Sequence, residues 1–139
     1  MKKLALSLSI VLTLSDSAFA LDRNAMQAAN NLAHEHMTCA AHSLIVASCL
    51  IEKDKTDPTG ERYKELGGTF IERGVRIGDI AGVSLKASEA RLKMANQSML
   101  EEIENNCSNI SILLQKHLKA CITLHNEGPD RLRAIAFGK

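Results

Sequence analysis

Tryptophan is missing from this 139-residue chain, and it has only two prolines, one tyrosine and three phenylalanines. So few aromatics and no runs of alternating β-branched residues speak against a many-stranded sandwich, and two prolines exclude a proline-rich ligand. Excess charge is missing too. Seventeen basic side chains face sixteen acidic ones, a formal net charge of +1, where a nucleic-acid binder would show a basic surplus and aromatic platforms. Catalytic signatures are absent: there is no Gly-x-Ser-x-Gly, no His-Glu-x-x-His, no phosphate loop and no Cys-x-x-Cys. The expectation is a protein that is not an enzyme and carries no cofactor. What remains is a chain 45% apolar by residue count, hydrophobic enough to fold.

The first twenty residues read as an export signal. Lys2 and Lys3 form a short positive region, Leu4 to Leu14 an apolar core, and Ala18-Phe19-Ala20 the small-x-small cleavage pattern. An eleven-residue core falls short of the roughly 20 needed to span a bilayer. Cleavage after Ala20 removes Lys2, Lys3 and Asp16 and leaves one domain, residues 21–139, with fifteen basic and fifteen acidic side chains. The short core is of bacterial type, so the expected destination is the periplasm or the outside, with no membrane span in the mature chain. Net neutrality argues against long-range steering of a charged partner.

Good helix formers dominate the mature chain, and the expected fold is all-α, an up-down-up-down four-helix bundle. Asp22 caps a first helix running to Lys53, whose apolar residues recur at three- and four-residue steps. From His36 to Ile51 it carries no formal charge, which places it at the centre of the bundle or along a dimer interface. Asp57-Pro58 starts a second helix that reaches about Ala81. Gly82 stops it, and Ser84 caps a third that reaches about Asn105. A fourth spans about Ser108 to Asn126, where Gly128-Pro129 ends it. Residues 129–137 are read as a separate short amphipathic helix. Glu101, Glu102 and Glu104 crowd the end of the third helix, as a solvated face or a cation contact.

Gly74, Gly78 and Gly82 are spaced by four and form one ridge, although each helical glycine costs about 0.8–1 kcal/mol against alanine. One reading is a groove in which a neighbouring helix packs closely. The functional reading is a flat self-association surface, joined by the small residues Ala40 and Ala47 of the first helix.

Four cysteines, Cys39, Cys49, Cys107 and Cys121, all lie beyond the signal. In an oxidising compartment an even count favours disulfides. Cys39 and Cys49 are about 15 Å apart along one helix, and Cys107 and Cys121 about 21 Å. A disulfide needs Cα atoms within about 7 Å. Neither pair can close on itself, so both bridges join the first helix to the fourth. If those helices are antiparallel, Cys39 pairs with Cys121 and Cys49 with Cys107. The rival is a zinc or copper site. Cys39-x-x-His42, Cys121-x-x-x-His125 and His117-x-x-x-Cys121 have ligand spacings suited to helices, and His34, His36 and Met37 add donors.

The segments CAAHS (Cys39 to Ser43) and SNISILLQKHLKAC (Ser108 to Cys121) resemble those of small exported all-helical proteins of bacteria and their phages, of uncharacterised function. The resemblance implies a helical bundle and no catalytic residues. The reading that results is a periplasmic or secreted binding protein that engages a protein partner or a second copy of itself.

Overall fold

The computed structural model describes residues 21–138; the signal-peptide expectation falls on residues outside these. Four α-helices are present, and no strand occurs among the described residues. They are α1 (Arg23–Lys53), α2 (Pro58–Ile80), α3 (Leu85–Glu102) and α4 (Ser111–Phe137), with a 3₁₀ turn at Cys107–Asn109. No helix of the described residues is long and apolar enough to cross a membrane.

The caps explain where the helices start. Asp22 accepts the Ala25 N–H at 2.8 Å, Asp57 accepts that of Thr59 at 2.7 Å ahead of Pro58, and Ser84 accepts that of Ala87 at 3.2 Å. At the end of α2, the Gly82 N–H donates to the Asp79 carbonyl and that of Val83 to the Gly78 carbonyl, with Gly82 at φ 73°. This is a Schellman closure with glycine in its left-handed position. The end of α3 repeats it three residues before the expected stop. Glu104 and Asn105 donate to the Glu101 and Leu100 carbonyls, with φ of 55° and 54°.

Helix α4 departs most from expectation. It continues through Gly128-Pro129 to Phe137, so no separate C-terminal helix exists. Pro129 has no N–H to offer the carbonyl of residue 125. Arg73 of α2 supplies the missing donor, its Nη1 lying 3.2 Å from the His125 carbonyl oxygen.

Helix α1 is central and touches the other three helices. Most of its uncharged stretch is buried, with Ser48 exposed. Around Leu32 and Ala40, one cluster of apolar side chains gathers Phe70 and Ile77 of α2 and Leu124 of α4. Around Ala41 and Ile45, a second gathers Met99 and Ile103 from the α3 end and Leu113 of α4.

The glycine ridge is the packing groove, not a free surface. A Cβ at Gly74 would sit 2.7 Å from Met37 Cε and 3.0 Å from His36 Cβ, and one at Gly78 would sit 3.2 Å from Ser88 Oγ. Ala40 and Ala47 are buried as well. Four of the five residues expected on an interaction surface are thus consumed inside the chain: Gly74 lies against α1, Gly78 lies nearest Ser88 of α3, and Ala40 and Ala47 lie on the buried face of α1. Only Gly82 is exposed. Gly68, on the outer face of α2, has nothing within 4 Å of a Cβ. Gly68→Ala is expected to raise the unfolding free energy by about 0.8 kcal/mol through helix propensity. Gly74→Val is expected to lower it by about 1–3 kcal/mol through overpacking. Denaturant melts of the two variants check both signs, and equal effects would contradict this placement of α2.

Candidate functional site

Both sulfur pairs are closed as the spacing predicts. Cys39 is bonded to Cys121 and Cys49 to Cys107, with Cα–Cα distances of 5.4 and 5.3 Å. The later cysteine of α1 meets the earlier one of the α4 side, so the two segments run in opposite senses across the links. Glu35 and Arg131 add a two-pronged ion pair between the same helices, at 2.6 and 2.8 Å. Arg131 holds the Glu35 carboxyl below its usual range, against the opposing effect of burial.

Beside the disulfides lies a seam of imidazoles. His42 of α1 is fully buried, and neither of its ring nitrogens has a hydrogen-bond partner within the protein. Its ring centroid lies 5.9 Å from that of His117 of α4 and 6.3 Å from that of Tyr63 of α2. Burial first, and His117 second, push its pKa down to about 4. His117 Nε2 is likewise unpartnered, with the nearest Glu102 oxygen at 3.9 Å. Burial also lowers the His117 pKa, with Glu102 opposing.

His36 lies two turns earlier on α1, 1% exposed. Its Nδ1 is 2.8 Å from the Leu32 carbonyl oxygen. A carbonyl only accepts, so Nδ1 carries the proton and Nε2 a bare lone pair. Nε2 has no partner and faces Gly128, where a Cβ would stand 3.4 Å away. Phe70 of α2 sits edge-on between His36 and His125, with centroids at 5.8 and 6.1 Å. Burial lowers the His36 pKa despite the Leu32 hydrogen bond.

The candidate ion ligands do not converge. His36 and His42 join different neighbours, His34 is exposed, and the cysteines are oxidised. Among the described residues no group of three or more His, Cys, Asp or Glu is arranged to hold a metal ion. Glu102 of the acidic trio bonds Lys116 of α4 at 2.8 Å and ties α3 to α4. A groove of about 430 Å³ between α1, α3 and α4 is lined by His34, Thr38, Met94, Met99, Glu102 and His117.

The pairing of His42 with His117 was within reach of the sequence. His42 follows Cys39 by three residues and His117 precedes Cys121 by four. Once those cysteines are joined across antiparallel segments, the two rings must fall side by side. Comparison with protein-family models, with curated protein sequences and with solved structures gives no match for this chain.

Proposed function

We propose that this is an exported, non-catalytic binding protein of the periplasm or the exterior, whose mature part, residues 21–139, is one up-down-up-down four-helix domain acting by contact with another protein. Its two disulfides support export, because such bonds persist in oxidising compartments and are rare in the cytosol. The binding reading rests on a corner of large apolar side chains left in water. Ile80 and Leu85 flank the α2–α3 turn, 50% and 59% exposed, and Met26 of α1, 40% exposed, lies against the same turn at Gly82. A second copy is the simplest partner, since a neutral mature chain does not repel itself.

Light scattering of the eluting mature chain at rising concentration tests this. The expected result is a concentration-dependent dimer that reverts to monomer in the Ile80→Glu/Leu85→Glu variant. A strict monomer with the mass of the variant at every concentration would remove self-association. Association unchanged in the variant would move the contact elsewhere.

A further inference from the structure

We propose that α2 is an acid-released flap: protonation of the buried imidazoles of α1 detaches α2 from a frame of α1 and α4 that the disulfides keep closed, uncovering an apolar face. Three observations carry it. First, the covalent ties are unequally placed. Both disulfides join α1 to the α4 side, whereas α2 is held by side-chain contact and by the Arg73 bond to the His125 carbonyl. Second, α2 covers the histidines. Phe70 lies on His36 and Tyr63 on His42. Third, a proton arriving on either ring finds no free counter-charge.

The groups that face these rings can be named helix by helix. Around His36 they are Glu35 of α1, Arg73 of α2 and Arg131 of α4; Glu35 is already paired with Arg131 in two hydrogen bonds. Around His42 they are Tyr63 of α2 and His117 of α4. The His117 ring is approached by Glu102 of α3 at 3.9 Å, but Glu102 also holds Lys116 of α4 at 2.8 Å. Charged imidazoles in these positions are buried cations without a free counter-charge, and His42 and His117 repel one another. The strain must relax where the chain can move. The sulfur links hold α4 to α1 as far as Cys121, and the two Glu35–Arg131 hydrogen bonds hold the segment beyond it, so α2 yields. Its departure wets His36 and His42 and exposes Phe70 and Ile77 together with Leu32 and Met37, all now buried.

The imidazoles bind protons more tightly in water than in the closed form, where His42 titrates at about 4 rather than 6.5. Opening is therefore favoured as pH falls between those values. Hydrogen exchange on the oxidised mature chain, corrected for the intrinsic pH dependence and read peptide by peptide, tests the device. Between pH 7 and about pH 4, α2 peptides are expected to lose protection at least about tenfold, while α1 and α4 peptides keep theirs. In the His36→Gln/His42→Gln variant, which has neither ring to protonate, most of that loss of protection is expected to disappear. If that variant does not fold, His42→Leu is expected to reduce the loss by a smaller amount. Undiminished α2 protection at pH 4 would overturn the proposal. So would simultaneous loss in α1, α2 and α4, or opening at the wild-type pH in the substituted chains.

Discussion

Replacing Cys39 and Cys121 by alanine is expected to lower the unfolding free energy of the chain by about 3.5 kcal/mol, and removing both bridges by about 8 kcal/mol. The single-bridge value is below that of an isolated link because the bridges are nested. Alone, the Cys39–Cys121 bond closes a loop with a sequence separation of 82, worth about 4.5 kcal/mol in denatured-chain entropy. With the Cys49–Cys107 bond intact, whose separation is 58, the denatured chain is already constrained. The outer link then closes only a circuit of roughly 25 residues, and its share falls to about 3.5 kcal/mol. Domains have about 5–15 kcal/mol in all. The fully reduced chain is therefore expected to be largely unfolded under mild denaturant, where the oxidised chain is native. Urea melts of the oxidised chain and of single- and double-bridge variants check the order. Equal midpoints for all would show that the bridges brace nothing.

Acidification is the second large effect. His42 is neutral and buried in the native state, with a pKa of about 4 against 6.5 in water. The unfolded chain thus binds the proton more readily, and stability falls as pH drops. The contribution of this ring is fully present above pH 6.5 and is lost progressively toward pH 4, a difference of about 3 kcal/mol. His36 and His117, also lowered by burial, act in the same direction. Glu35 adds to the loss at still lower pH, since its paired carboxyl is held below 4.5. Denaturant melts at fixed salt across this range are expected to show a steady fall in midpoint. His42→Leu is expected to flatten that slope, and a flat profile in the wild-type chain would contradict the buried neutral imidazole.

Local signals are legible in the sequence. Asp22, Asp57-Pro58, Ser84 and Gly82 act on backbone groups within a few residues of themselves, so their effect does not depend on the rest of the chain. The cysteine pairing was equally accessible, because helical rise and bond reach leave few solutions. The features that differ from the local pattern depend on distant partners. Pro129 breaks a helix by local rules, and it is tolerated here because Arg73, 52 residues earlier in residue separation from His125, donates to the carbonyl that proline leaves free. The third helix stops early because Glu104 and Asn105 adopt left-handed backbone, which no glycine announced. Gly74 and Gly78 form the ridge that the spacing indicates, but only the approach of α1 and of Ser88 of α3 reveals which face of it is covered. The histidines stood out as possible ligands. Packing, not spacing, sends His36 to Phe70 and His42 to Tyr63 and His117.

Mass spectrometry of the purified, unreduced protein tests the central claim, that two sulfur links clamp α1 to α4 and to the 3₁₀ turn before it. The predicted result is an intact mass about 4 Da below that of the reduced chain, two hydrogens for each bond. Proteolytic peptides are predicted to link Cys39 only to Cys121 and Cys49 only to Cys107. Free thiols in folded protein, or a peptide joining Cys39 to Cys49 or Cys107 to Cys121, would contradict it.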